Sequence, residues 1–137
     1  YAIALIESSR GAEGWVTPQP HAIRTPRRSL YPQNYHAAER ALAEIPDDIL
    51  PSCDLGLMQI NVRWHGARVR KPAEFLDPFT NLTIGASILA EAIASAPGDP
   101  ILGHGRYHNW TDQPRARGYG RAIVSLAQGL RRAETQP

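Results

Sequence analysis

From Pro78 the apolar residues Leu82, Ile84, Ile88, Leu89, Ala92 and Ile93, with Asn81 and Gly85, recur at three-to-four spacing until Pro97 and Gly98 stop them. This spacing predicts a long helix with a continuous apolar stripe. A stripe of that length has to be covered by other elements, and the rest of the sequence supplies further helices to do so. Asn34 reads as the cap of a helix from about Tyr35 to Ile45, striped by Ala38, Ala41, Leu42 and Ile45 and ended by Pro46. Asp99 and Pro100 read as the cap and first position of another through about Asn109. A last helix is expected from near Arg115 to Ala133, with Tyr119, Ile123, Leu126, Ala127 and Leu130 inward and Arg131 and Arg132 at the dipole's negative end. The expected class is mainly α.

With 137 residues, the chain suits one domain whose core hides roughly two thirds of the unfolded surface. Hydrophobic residues at 42% and charged residues at 20% exclude a disordered chain. The 15 Lys and Arg are spread along the sequence and the net charge is only +2, so nothing asks for a nucleic-acid partner. Cys53 is the only cysteine, which forbids an intramolecular disulfide and leaves the redox compartment open. No apolar run reaches the length of a membrane span, so no integral membrane segment is expected. The sequence opens without Met and already in a helical pattern, so its amino terminus reads as trimmed, with a signal peptide or a longer helix ahead of Tyr1.

That opening pattern, YAIALIESSRG, delivers one carboxylate at the end of an apolar helix. Ala2, Ile3, Leu5 and Ile6 fit a buried face, with Gly11 as the C-terminal stop. A carboxyl held against aliphatic neighbours favours its neutral, proton-donating form, which is what a general acid requires; the plainer reading is that Glu7 marks the helix's return to solvent. Pro18, Pro20, Pro26 and Pro32 then break any helix, leaving an irregular or β excursion from about Trp15 to Gln33, with His21 to Thr25 able to extend. Its Trp15, Tyr31 and Tyr35 either line a groove or pin the excursion to the core. The apolar ILPSCDLGLMQIN suits a tight turn leading into one or two buried helical turns. The basic, irregular passage after it carries Trp64 and His65.

Four local signals stand in order: Glu7-Ser8; Gly56-Leu57-Met58-Gln59-Ile60 with Asn61; Asn81 and Gly85 four apart; and Tyr107-His108-Asn109. Together they resemble the lytic transglycosylases with a lysozyme-like SLT domain, whose signatures are a Glu-Ser pair, a Gly-Leu-Met-Gln segment, an Asn-x-x-x-Gly helix start and an Ala-Tyr-Asn-x-Gly stretch. The resemblance covers most of the chain. It departs in three places: the stretch between Glu7 and Gly56 is longer than in the commonest members, the serine about nine residues after the glutamate has no counterpart, and Arg106-Tyr107-His108-Asn109-Trp110 keeps Tyr and Asn without the small neighbours. The long insert, with Asp54 ahead of the Gly-Leu-Met-Gln segment and Trp64-His65 after it, looks more like the branch found with conjugation and secretion machinery.

What the resemblance implies is a mainly α, α+β lysozyme-like single domain over residues 1–137, with Glu7 at the floor of a glycan groove and the excursion as one wall. Glu7 would act first as acid and then as base in cleaving the bond between N-acetylmuramic acid and N-acetylglucosamine without water, leaving 1,6-anhydro ends. Ser8, Met58, Gln59, Asn61, Tyr107, Asn109 and Tyr119 would hold the glycan or the glutamate, Tyr119 by reaching Glu7. No cofactor is implied, the partners would be glycan strands and components of a conjugation or secretion apparatus, and the location would be the periplasm or cell envelope.

Plainer readings stand beside these. Met58 fills core by default, Gln59 and Asn61 satisfy backbone groups at a helix end, Ser8 back-bonds within its helix, and Tyr107 and Tyr119 are tethered core tyrosines. Asp54 reads as a turn or cap residue, or as the second polar group that a water-using muramidase on the same fold would need. A third possibility is an assembly module that grips glycan without cutting it. His104 and His108 have zinc-like i, i+4 spacing but no third ligand, so no metal is expected, and Cys53 reads as an inert packed thiol.

Overall fold

The computed structural model describes residues 1–12 and 15–135. Residues 4–85 form one compact unit, and residues 1–3 with those from Ala86 on form another. The helices are α1 (Ala2–Ser8), α2 (Tyr35–Ala43), α3 (Val62–His65), α4 (Pro78–Ala94), α5 (Pro100–Arg106) and α6 (Gln113–Thr135). The strands are β1 (Ser9–Ala12), β2 (Trp15–Pro18), β3 (Ile23–Arg24), β4 (Ser29–Leu30), β5 (Asp54–Leu55) and β6 (Ile60–Asn61). Among the described residues the chain is thus mainly α with two small antiparallel sheets, in keeping with a lysozyme-like α+β fold class.

Within residues 4–85 the larger sheet has the order β4-β3-β5-β6. Its register places Ile23 opposite both Leu30 and Leu55, and Leu55 opposite Ile60. Successive side chains on a strand point to opposite faces, so Ile23, Leu55 and Ile60 form one row, and all three are buried. Phe75 and Leu76, from the single-turn helix Pro72–Leu76 against which α2 packs, are also fully buried. Each such side chain contributes about 2 kcal/mol of hydrophobic stabilisation. The opposite face of the same strands carries the polar row Arg24, Asp54 and Asn61.

Two expectations from the sequence are corrected here. Gly11 does not stop α1: the helix ends at Ser8 and the chain passes directly into β1, where Gly11 pairs with Val16. Pairing of Ser9–Ala12 with Trp15–Pro18 satisfies the backbone that would otherwise need a cap. The Gly-Leu-Met-Gln segment is a β-hairpin turn, not helix, because β5 and β6 pair across it and Gly56 (φ 76°) and Gln59 (φ 47°) both take left-handed backbone. The groove-lining role read for Trp15 rests on a side chain outside the described residues.

Helix starts follow their capping chemistry. Asn34 Oδ1 accepts from the Ala37 N–H at 2.9 Å, and α2 ends at Ala43, two residues short of the expected Ile45. Asp77 caps α4, accepting from Thr80 N–H at 2.8 Å, and this hydrogen bond holds its carboxyl below the usual carboxylate range. In the unit containing residues from Ala86 on, Asp99 caps α5 through the Leu102 N–H at 3.0 Å, and Asp112 caps α6 through Arg115 N–H at 3.0 Å. Helices α5 and α6 pack closely at Gly105 and Gly120, where a Cβ would collide with the carbonyls of Ala116 and Ile101 respectively. Helix α5 ends at Arg106 instead of near Asn109, so His104 and His108 do not share a helical face. Among the described residues no helix is long and apolar enough to cross a membrane.

Candidate active site

Strand β3 reaches the end of α1 at Glu7, and the β5–β6 turn belongs to the same sheet as β3. Glu7 is 9% exposed, and it is the buried acidic residue among those described. Of the apolar residues that precede it, Ala2, Ile3 and Ala4 are buried, whereas Ile6, expected on the buried face, is exposed, and Glu7 shares the burial of the first three. Its neighbour Ser8 is buried as well, and the Ser8 hydroxyl donates to the Ala4 carbonyl at 2.9 Å, the intrahelical bond that short polar side chains make. The Ser8 carbonyl accepts from Gln19 N–H at 3.1 Å, which fixes the chain just after the helix.

Arg24, on the polar face of β3, donates from its guanidinium to the Glu7 carbonyl at 3.2 Å. Beside it on the sheet, Asp54 accepts from Asn61 Nδ2 at 2.8 Å across the β5–β6 pair. Asp54 is therefore a strand residue, and Asn61 uses the rest of its amide as the cap of α3, accepting from Arg63 and Trp64 N–H groups at 3.1 and 3.4 Å. Arg24 was not singled out from the sequence. No local pattern marks it: Ala22 and Ile23 followed by Arg24 and Thr25 do not alternate, and the pairing of β3 with β5 is what aligns Arg24 with Asp54.

The β5–β6 turn is organised by one residue. Asn81, fully buried at the start of α4, accepts from Met58 N–H at 2.8 Å and donates to the carbonyls of Leu55 and Phe75 at 2.8 and 2.7 Å. All of its amide geometry is used to clamp the turn. Gly56 can approach this amide because it lacks a Cβ: one placed there would collide with Asn81 Nδ2 and the Phe75 carbonyl. Gly85, one helical turn beyond Asn81, makes room for the buried Met58, whose Cγ would lie 2.7 Å from an added Cβ. The Asn-x-x-x-Gly spacing thus has a packing reason: one face of α4 holds the backbone of Met58 and accommodates its side chain. Gln59, in left-handed backbone, donates from Nε2 to the carbonyls of Gly56 at 2.9 Å and Ala22 at 3.4 Å. Those bonds offset the cost of its conformation and tie the turn back to the residue preceding β3.

The remaining site residues lie in the other unit and are described within it. Tyr107 is the C-cap of α5. Asn109 Oδ1 accepts from Thr111 and Asp112 N–H groups at 3.2 and 2.8 Å, a side-chain turn that sets the entry to α6. Tyr119, on α6, stacks on His108 with ring centroids 4.7 Å apart and planes 7° from parallel. His104 Nδ1 lies 2.6 Å from the Pro100 carbonyl. Cys53 is fully buried beside the Ile49 carbonyl, and burial followed by the neighbouring Asp54 charge pushes its thiol up, away from reactive thiolate.

Comparison with curated proteins and with solved structures gives no match. A family model, the transglycosylase SLT domain, matches residues 28–119. That span contains the clamped turn, the Asn81–Gly85 helix start and the Tyr107-His108-Asn109 stretch, and Glu7 lies ahead of it. Since the match takes in more than half of the sequence, the chain belongs to the transglycosylase SLT family of lysozyme-like, peptidoglycan-directed lytic transglycosylases.

Proposed function

We propose that the chain cleaves peptidoglycan glycan strands by non-hydrolytic transglycosylation, with Glu7 as its single catalytic carboxyl. The observation that carries this reading is the burial of Glu7 at the end of α1, since a carboxyl removed from water costs free energy that a merely structural position would not require. Glu7, acting as the acid, donates a proton to the glycosidic oxygen as the bond to C1 of N-acetylmuramic acid breaks. The resulting carboxylate takes the proton of the C6 hydroxyl on the same sugar, and the C6 oxygen bonds to C1 to close the 1,6-anhydro ring. Because the nucleophile is already part of the substrate, effective molarity takes the place of the second carboxylate that most glycosidases use.

Arg24 supports this role by holding the end of α1, and the turn that Asn81 clamps at Met58 is tied by Gln59 to Ala22, just ahead of the strand that carries Arg24. Ser8 and Asn61 commit their hydrogen-bonding groups largely to the protein, and Met58 is buried, so they shape the site more than they grip sugar. Tyr107, Asn109 and Tyr119 are carried as glycan contacts on the family resemblance. The envelope location, and service to a conjugation or secretion apparatus, rest on the same resemblance.

Mass spectrometry of glycan released from purified peptidoglycan tests the reading. Fragments ending in 1,6-anhydro-muramic acid are expected. Reducing ends would instead assign a muramidase, and glycan binding without release would assign a non-cutting assembly module.

A further inference from the structure

Among the described residues from Asn61 to Lys71, Trp64 alone exposes a large apolar side chain, with 76% of its area in solvent. A ring of this size is ordinarily part of a core. Trp64 lies outside the four signatures that carry the family resemblance, yet its position is fixed. It belongs to α3, and its N–H donates to Asn61 Oδ1 at 3.4 Å beside that of Arg63 at 3.1 Å. The Arg63 guanidinium donates to Ser52 Oγ at 3.3 Å, which ties the short helix to the residues ahead of β5.

Sheet register and hydrogen bonds, not order in the chain, connect Trp64 to the candidate acid. Arg24, Asp54 and Asn61 stand directly opposite one another across β3, β5 and β6, so their side chains share one face of the sheet. At one end of this row Arg24 donates to the Glu7 carbonyl. In the middle Asp54 accepts from Asn61 Nδ2 at 2.8 Å, and at the other end Asn61 caps the helix that carries Trp64. The strand spacings place the two ends of the row about 10 Å apart. A polar row thus leads from the end of α1 to an exposed indole, at a remove longer than one sugar ring.

The surroundings of the ring select its ligand. A pyranose offers an apolar face of C–H groups with hydroxyl and amide groups around its rim, and a lone indole at the end of a hydrogen-bonding row matches both. A protein partner would need a contiguous apolar patch, whereas the other exposed residues of this stretch are Arg63, Ala67, Arg68, Arg70 and Lys71. A polyanion would need unspent positive charge, whereas Arg70 and Lys71 are paired with Glu74 and Glu39 at 3.3 and 3.0 Å. We infer that Trp64 stacks on an N-acetylhexosamine ring of the glycan at a subsite removed from the bond that is cut. It serves affinity for the strand and not the chemical step. The inference rests on the glycan reading above.

Calorimetric titration with chitohexaose, an unbranched β-1,4 chain of N-acetylglucosamine, tests this without turnover. Wild type, Trp64→Ala, Trp64→Phe and Phe79→Ala are compared after thermal melts establish that each folds; the last removes an aromatic ring of similar exposure on α4. Kd should rise roughly tenfold in Trp64→Ala, rise less in Trp64→Phe and stay at the wild-type value in Phe79→Ala. On soluble uncrosslinked glycan strands, Trp64→Ala should raise KM by a similar factor and leave kcat within about twofold of the wild type. A fall in kcat at unchanged KM would mark a disturbance of Glu7 and overturns the subsite. Absence of chitohexaose binding by the wild type, or equal binding by wild type and Trp64→Ala, overturns it too. So does a Trp64→Ala defect seen only on phosphatidylglycerol vesicles, which would make the ring a membrane anchor. Failure of the wild type to release anhydro ends contradicts the role of Glu7, while the titration still decides Trp64.

Discussion

The guanidinium of Arg24 donates to the main-chain carbonyl of Glu7 at 3.2 Å, so strand β3 and the end of helix α1 are joined through an exposed side chain and a buried residue. The bond fixes backbone and leaves the Glu7 carboxyl group to other partners. The polar row Arg24, Asp54 and Asn61 therefore extends from the sheet to the candidate acid, while the row Ile23, Leu55 and Ile60 on the opposite face fills the core.

Removing this bond should affect turnover more than stability. Arg24→Ala is expected to lower the melting free energy by about 1 kcal/mol, the worth of one hydrogen bond at a partly exposed site. The rate of anhydro-product release should fall roughly tenfold through misplacement of Glu7. Equal losses for Arg24→Ala and for an unrelated surface variant of matched stability would show that Arg24 does not position the acid.

Asn81 is the opposite case, a residue whose loss is paid mainly in folding. Asn81→Ala leaves the carbonyls of Leu55 and Phe75 and the N–H of Met58 without their partner inside the core. Denaturant unfolding should show a loss of about 3 kcal/mol or more, among the larger effects of a single substitution. Asn81→Asp keeps the acceptor for Met58 but gives up the donor to both carbonyls, so it should not rescue the protein. A loss under about 1 kcal/mol for Asn81→Ala would contradict the clamp.

The pairing of Asp99 with Arg117 at 2.6 Å gives unit-specific pH dependence. The Leu102 N–H, and then Arg117, hold the Asp99 carboxyl below the ordinary carboxylate range. A carboxyl whose folded-state value is depressed contributes stability that is present above its unfolded value and is lost as pH falls through the folded one. Thermal melts of the wild type should therefore decline below about pH 4, and Asp99→Asn should be less stable than wild type at neutral pH with the gap closing in acid. A gap independent of pH would contradict this assignment.

The long helices were legible because their information is local. Asn34, Asp99 and Pro100 each cap or open a helix within three residues, and the helix after Pro78 is read directly from spacing, although Leu82 and Ile93 of its expected stripe are exposed. The β excursion that holds β2, β3 and β4 was legible from its prolines, but the pairing of β3 with β5 was not, for the converse reason. Leu55 pairs with Ile23 across 32 intervening sequence steps, and a two-residue strand carries no period of its own, so the apolar run around Gly56 looked like buried helix. The end of α1 was misread because Gly11 has two meanings, helix stop or strand residue, and only pairing with Val16 chooses between them. Of the site, Glu7, Gln59 and Asn81 stood out as sequence landmarks, whereas Arg24 had no motif to mark it. The side chain of Asn61 also showed its two jobs only in the fold, capping α3 while bonding Asp54.

The central claim, that Glu7 is the acid and base, is tested most directly by comparing anhydro-muramic acid release by the wild type and by Glu7→Gln, with melting curves to verify that both are folded. A glutamine of the same shape cannot donate or accept the proton, so release should fall by about a thousandfold or to background. Release by Glu7→Gln within tenfold of the wild type would contradict the account and send the search to another carboxyl.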